Sequence, residues 1–468
     1  MAPSRPSLSR FLSRPLYNGT ALLRRTLGGL TWGPTLAVAK SAILSVFSTV
    51  EEGTLVLIDE PSGQHHVFGQ PLPSGKPDPN LANDRVFLIV KNEAFWMHLF
   101  LCVDMGFAEA YMLGEVECED LAAFFRLFIV NRERMGNGTT LASSLFSLVA
   151  GFTRSTNTIS NSLLNVSAHY DISNDIFAAF LSPDMTYSCP VWVMPAAPEE
   201  DEDLENAQMT KLHRFIDGAR IKATDHVLEI GTGWGSFAIE AVRTTGCRVT
   251  TLTLSREQKA LAEERIAQAG LSDRIQVQLM DYRALPVPET LYDNIVSIEM
   301  VEAVGKDHLG TYFACVDRLL KKKGGIAMFQ SSTLAEGRYD AYSAGEDFIN
   351  HYMFPGAHLP TITSLTQHIS TQSRGTLVVE RIENIGGHYV KCLRLWKENF
   401  LANFDSKIRP ALKREHGHMT EEEVNVFRRK WEYYFTYSEA GFITKTLGDA
   451  IITVGMEGSL ELMEGIPL

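Results

Sequence analysis

Apolar and polar positions change period along this chain, and each change marks a different kind of element. From Gly53 the run Gly-Thr-Leu-Val-Leu-Ile-Asp, the turn Pro61-Ser-Gly63 and the run Gln64-His-His-Val-Phe-Gly read as two short strands joined in a hairpin. A third strand pattern covers residues 84–91, and helical periodicity follows over 93–105 and 118–131. These elements predict a small α+β unit over residues 51–137. Gly136-Asn-Gly138 and the polar run 155–162 then break the pattern, so residues 138–165 read as a linker.

The rest, 166–468, reads as one larger domain. A helix over 206–221 precedes strands at 225–230, 248–254, 275–280, 294–298 and 326–330, with helices at 236–244, 256–269 and 306–320 between them. Strands and helices alternating at this spacing predict a doubly wound parallel sheet. Residues 333–400 then interrupt the alternation with helical and loop insertions of the sort that cover an apolar ligand.

A length of 468 residues suits two or three domains, in agreement with this division. The 45% hydrophobic content supplies a core, and the net charge of −13 speaks against a sequence-independent nucleic-acid binder, which needs a basic footprint. The charge is uneven. Residues 1–50 hold five Arg, one Lys and no acid, which leaves −19 for the remainder. This start reads as a basic amphipathic arm on a surface, with a mitochondrial transit peptide as the rival. No run of 18 apolar residues is uninterrupted, so a membrane span is not expected. The six cysteines form no CxxC pair and have no His at zinc spacing, so neither a disulfide framework nor a metal site follows, and a reducing compartment is the default. The acidic run 199–203 reads as a solvated loop.

Val227-Leu-Glu-Ile-Gly-Thr-Gly-Trp-Gly235 carries the first chemistry, with Gly231, Gly233 and Gly235 in the first strand-to-helix turn. Glycines there let the backbone approach a ligand closely. Glu229, two residues earlier, is placed to accept a cationic amino group, and Asp281 at the end of the third strand to accept an adenine amine. The two acids favour S-adenosylmethionine over a dinucleotide. A turn that serves only helix-to-sheet packing is the bland alternative.

Further motifs give the chain a family. They are His169-Tyr-Asp with Asn174-Asp, Met185-Thr-Tyr-Ser-Cys189, Thr253-Leu-Ser-Arg-Glu-Gln258, Met300-Val-Glu-Ala-Val-Gly305, Tyr352-Met-Phe-Pro-Gly356, Asn384-Ile-Gly-Gly-His-Tyr389 and Trp431-Glu-Tyr-Tyr-Phe. Val90-Lys-Asn-Glu-Ala-Phe-Trp96 and Gly106-Phe-Ala-Glu-Ala-Tyr-Met112 extend the series into the small unit. From about residue 53 to the end the chain resembles the cyclopropane-fatty-acyl-phospholipid synthases, which are S-adenosylmethionine-dependent methyltransferases. The resemblance implies a Rossmann-like class I methyltransferase domain with helical lid insertions, preceded by a small α+β domain. It implies that Tyr187, Ser188, Gly231, Gly233, Thr253, Leu254, Gln258, Asp281, Tyr282 and Ile298 line the cofactor site, beside Glu229 and Gly235 of the glycine turn.

It further implies a bicarbonate ion as catalytic base, held by Cys189, Glu302 and Tyr389 with a residue at the end of the fifth strand. Here that residue is Gln330, where the best-known members carry His. An amide can donate a hydrogen bond to the anion but cannot share its proton. The expected reaction transfers a methylene group to the cis double bond of an unsaturated phospholipid acyl chain and forms a cyclopropane. The substitution at Gln330 keeps a methyl-branched lipid product open, as does a sphingolipid acceptor. Individually the residues have plainer readings: Cys189 as a small buried apolar group, Glu302 as a helix N-terminal acid, Tyr389 as a packing tyrosine. The implied setting is cytoplasmic and peripheral to the membrane, with no nucleic-acid partner, and a homodimer is the assembly to expect since members commonly dimerise.

Overall fold

The computed structural model describes residues 35–70, 85–135, 172–193, 202–345, 347–464 and 466. Most of the basic arm, the expected linker, and His169 and Tyr170 of the first motif lie outside them. The chain divides into two compact units.

The smaller unit is built on a four-stranded sheet in the order β2, β1, β3, β4. The hairpin forms as its turn residues demand: β1 (Gly53–Asp59) and β2 (Gln64–Gln70) pair antiparallel, with Val56 opposite Val67. β3 (Arg85–Val90) adds parallel to β1, and a helix over Ala94–Met112 crosses to β4 (Val116–Cys118). Residues 35–47 are helical, and Ala39, Ile43 and Phe47, spaced four apart, are all buried. Lys40 on this helix reaches Asp59 at 2.5 Å, so the end of the expected arm is part of the folded unit. The helix Leu121–Asn131, which periodicity placed in the small unit, groups up to residue 130 with the larger one. Its Phe125 ring meets Tyr433 and Tyr437 edge-on at 5.1 and 5.3 Å.

The larger unit holds a seven-stranded sheet in the order β10, β11, β9, β8, β5, β6, β7. Its strands β5 (His226–Ile230), β6 (Arg248–Thr253), β7 (Ile275–Leu279), β8 (Asn294–Ile298) and β9 (Ile326–Leu334) are parallel, as the alternation predicts. The other two strands correct that reading. β10 (Leu377–Asn384) lies at the sheet edge, and β11 (Leu447–Met456) runs antiparallel between it and β9. β9 also continues four residues beyond its predicted end, because β11 pairs along it and sets Ser332 opposite Asp449. The core packs Leu228, Ile295 and Phe329 of the sheet against Tyr312, Phe313 and Val316 of the helix Leu309–Leu319. The acidic run ends as a helix cap: Asp203 Oδ1 accepts the Asn206 amide at 2.8 Å at the start of the helix Leu204–Gly218.

Candidate active site

In this order β5 has β8 on one side and β6 on the other, and the crevice outside the carboxyl ends of strands at such a reversal is where open α/β sheets bind ligands. A cavity of about 590 Å³ lies there. Eleven of the twelve positions expected at the cofactor line it. Gly235 is the exception and corrects the expectation. It precedes the helix Ser236–Thr245 with a φ of 87°, a left-handed conformation that favours glycine, and a Cβ there would stand at ordinary contact distance from Ala262, so the backbone conformation is what calls for glycine. Gly233, at φ 51°, has open space where a Cβ would stand, which is what close approach of a ligand requires.

Glu229 is the acid that the glycine turn brings to the cavity wall. The residue is buried, its Oε2 has no hydrogen-bond partner, and burial pushes its carboxyl up to about 8 against the pull of Thr251 and Lys211. An orphaned buried acid of this kind fits the cationic amino group of S-adenosylmethionine. At the adenine position Asp281 is already tied to Arg283, whose Nε and Nη2 donate at 2.9 and 2.5 Å and hold the carboxyl below its ordinary value. Oδ1 also accepts the Arg283 amide at 2.8 Å, so the lone pair left for an amine is on Oδ2. Leu254 is 73% exposed at the cavity wall, an apolar surface that a flat ring would cover.

Three of the four expected catalytic residues meet, around a group that was not expected. The Cys189 amide donates to Glu299 Oε1 at 2.7 Å, and Gln330 Nε2 donates to the same oxygen at 2.8 Å. The Tyr389 hydroxyl donates to Glu299 Oε2 at 2.6 Å. Three of the four groups assigned to bicarbonate therefore surround a side-chain carboxylate that the sequence reading passed over. Glu302 stands apart: its Oε1 accepts the Ser332 amide at 2.5 Å, its Oε2 has no partner, and burial and Glu299 push it up to about 8. Bicarbonate does not fit this arrangement. Its donors are taken, and a further anion would sit among Glu299, Glu302 and the fully buried Asp449, with burial already raising all three acids.

Backbone geometry explains how Glu299 reaches this place. It follows β8 with φ 47°, a left-handed conformation uncommon outside glycine, and its amide donates to Gln330 O at 2.9 Å. Gln330 also reaches Cys189 O at 3.2 Å, so the amide side chain ties two segments to the acid. The Cys189 thiol is buried and pushed well above its usual range by burial, so its backbone rather than its sulfur contacts the site. Lys211 is a second residue missed from sequence. Fully buried on the helix Leu204–Gly218, it donates to Ser188 Oγ at 2.7 Å and faces Glu299, Asp184 and Asp449. A lysine in a helix reads as solvated surface, whereas an acid directly after a buried strand, as in Ile298-Glu299-Met300, was a usable signal.

Aromatic rings adjoin the cavity. Tyr187 lines it, shares a 2.9 Å hydrogen bond with the Tyr434 hydroxyl, and has Trp396 at 5.0 Å. His388 is structural: its Nδ1 accepts the Trp192 amide at 3.0 Å.

With this geometry in hand, the likeness to known proteins becomes specific. Residues 157–448 match the family model described as mycolic acid cyclopropane synthetase. The cyclopropane-fatty-acyl-phospholipid synthase of Escherichia coli (strain K12) is 30% identical over 382 residues, 80% of this chain and 89% of that protein. A tuberculostearic acid methyltransferase of Mycobacterium tuberculosis is 35% identical over 353 residues, 72% of this chain and 75% of its own. Among solved structures, the mycolic acid cyclopropane synthase CmaA1 complexed with SAH and CTAB superposes with a TM-score of 0.52 at 25% identity, covering 63% of this chain and 98% of that one. The chain belongs to the mycolic acid cyclopropane synthetase family and is an S-adenosylmethionine-dependent methyltransferase with the class I fold.

Proposed function

We propose that this enzyme methylates a cis double bond in an unsaturated phospholipid acyl chain and closes a cyclopropane ring, with the Glu299 carboxylate taking up the proton. The observation that carries the reading is the convergence of the Cys189 amide, Gln330 and Tyr389 on Glu299 at the cavity wall. When bound, S-adenosylmethionine supplies an electrophilic methyl group on a cationic sulfur. Glu229 would hold its amino group, and the open space at Gly233 admits it. An isolated alkene is a weak nucleophile, and its methylation leaves positive charge on carbon. Tyr187 and its ring neighbours present aromatic faces to that charge and exclude water. A C–H bond of the delivered methyl then breaks, its electron pair closes the ring, and the proton passes to Glu299. Three hydrogen bonds hold that carboxylate in one orientation for the transfer.

Expression in a host rich in monounsaturated phospholipids tests the reading. Lipid mass spectrometry should show a gain of one methylene per converted chain, with cyclopropane protons upfield in the NMR spectrum. Unchanged lipids from a protein that still binds S-adenosylmethionine would overturn it. A methyl-branched product is the second reading. A tethered carboxylate takes its proton from whichever carbon it faces, and one relative is a tuberculostearic acid methyltransferase. The same spectrum distinguishes the two products, and the head group of the converted lipid tells a phospholipid from a sphingolipid acceptor.

The enzyme meets its lipid from the membrane surface. No helix among the described residues is long and apolar enough to cross a membrane, and residues 1–34 carry five Arg and no acid. Each such charge near anionic lipid contributes on the order of 1 kcal/mol. Deleting residues 1–34 leaves in place the helix over 35–47, with its buried Ala39, Ile43 and Phe47. The truncated enzyme should bind anionic vesicles more weakly, with the deficit shrinking as salt rises; undiminished binding would remove the docking role.

A further inference from the structure

Asp449 lies on β11, fully buried, and neither the reaction as proposed nor the family resemblance gives it a task. Its place in the sheet is fixed by register. β11 pairs with β9 so that Asp449 stands opposite Ser332 and Ile451 opposite Gln330, while β9 pairs with β8 so that Gln330 stands opposite Ile298. Three adjacent strands therefore bring Asp449 beside the segment that carries Glu299 and Glu302. Ser332 bridges two of the acids: its amide donates to Glu302 Oε1, and its hydroxyl donates to Asp449 Oδ2 at 3.2 Å. The Asp449 carboxyl interacts with Glu299, and its buried Oδ1 has no hydrogen-bond donor beside it.

Three carboxyl groups in one buried cluster cannot all be ionised. Glu299, Glu302, Lys211, Cys189 and Tyr389 are the titratable groups that face Asp449, from four separate segments, and Lys211 supplies the positive charge among them. Glu299 accepts three hydrogen bonds from the Cys189 amide, Gln330 and Tyr389, each of which favours its charged form. Asp449 accepts a single side-chain hydrogen bond, from the Ser332 hydroxyl, and Glu299 and Glu302 repel its charge, while Lys211 attracts Glu299 as well as Asp449. The hydrogen-bond inventory therefore favours Asp449 over Glu299 as the holder of a shared proton.

We propose that Asp449 is a positioning residue for the base: it carries a proton in the resting enzyme and donates it as a hydrogen bond to Glu299, so that the two acids act as one singly charged pair. The inference rests on the reading of Glu299 as proton acceptor. The pair is competent in its singly protonated form. Adding a proton fills Glu299 and removes the base. Losing the Asp449 proton places two negative charges side by side, deprives Glu299 of its donor, and disturbs its orientation. The rate of the chemical step therefore rises and then falls with pH, with both limbs belonging to the pair.

The test is the pH profile of single-turnover product formation for the unmutated enzyme, Asp449→Asn and Glu299→Gln, with S-adenosylmethionine affinity measured alongside. Asparagine still donates to Glu299 but cannot lose a proton. Asp449→Asn should bind the cofactor within a few fold of the unmutated enzyme, keep the acid limb, and lose the alkaline limb. An alkaline limb that survives in Asp449→Asn with Glu299→Gln inactive overturns the role of Asp449 and leaves the base in place. A fully active Glu299→Gln overturns the base itself. Should Asp449→Asn fail to fold, the infrared carbonyl band of protonated carboxyl groups in the unmutated protein decides the matter: part of it must disappear in step with the alkaline limb of turnover, and a band that does not follow that limb refutes the pair.

Discussion

Two glutamates line the cavity, Glu229 buried and Glu299 half-buried, and the two are equipped in opposite ways. Glu229 leaves one oxygen with no partner at all, whereas both oxygens of Glu299 are engaged, by donors from three separate segments. An acid left unsatisfied in a low-dielectric site is costly until a cation arrives, so its cost becomes selectivity for a cationic ligand. An acid already satisfied gains nothing from a second ligand and is held ready for chemistry. On the proposed reading the same side chain would serve binding at Glu229 and reaction at Glu299, and the difference lies in the hydrogen-bond inventory. If Glu299 is the base, as proposed, the reaction needs no exchangeable anion there.

The comparison is broken most directly at Glu299. Glu299→Gln keeps the volume and removes the basic oxygen, so product formation should fall by about 1,000-fold, within the range general bases contribute. Cofactor affinity should stay within a few fold, because Glu229 is untouched. Single-turnover lipid analysis and calorimetric titration with S-adenosylmethionine check the two halves. Equal losses in both would mean that the two acids do not divide the work.

The division also tracks what the sequence revealed. That the glycine turn and Glu229 would line a cavity was legible because the pattern is local: strand, turn and acid occupy nine consecutive residues. β5 to β9 were legible for the same reason, since buried strands alternating with helices leave their period in the chain. Glu299 was not, because its role is conferred by groups 110, 31 and 90 residues away along the chain, at Cys189, Gln330 and Tyr389. Each of those three was singled out by resemblance, yet the ligand they share was taken to be an ion. β10 and β11 escaped for a related reason. β10 is a charged edge strand, Leu-Val-Val-Glu-Arg-Ile-Glu-Asn, that reads as a loop, and β11 enters the sheet out of chain order, between β10 and β9. Asp449 goes with it: an acid in a strand earns notice only once the neighbouring strands are known.

The smaller effect belongs to Glu229, and its sign with pH separates binding from chemistry. In the empty enzyme burial holds this carboxyl at about 8, so near neutral pH it is mostly protonated. The cationic ligand needs the ionised form, and binding must therefore expel a proton. Affinity should rise as pH climbs from about 6 toward 8, approaching tenfold per unit well below the carboxyl's own value, and level off above it. Glu229→Gln offers the ammonium a neutral acceptor and should weaken binding by about 10- to 100-fold at pH 8, equivalent to the 1.5–3 kcal/mol of a hydrogen bond to a charged group. At pH 6 the deficit should nearly vanish, since the unmutated acid is neutral there as well. Calorimetric titration of both proteins at the two pH values, in buffers of different ionisation enthalpy, counts the proton released. If the unmutated enzyme releases none and the variant keeps the same slope, Glu229 is not the group that receives the cofactor's amine, and the contrast between an unsatisfied binding acid and a satisfied catalytic one fails at its first term.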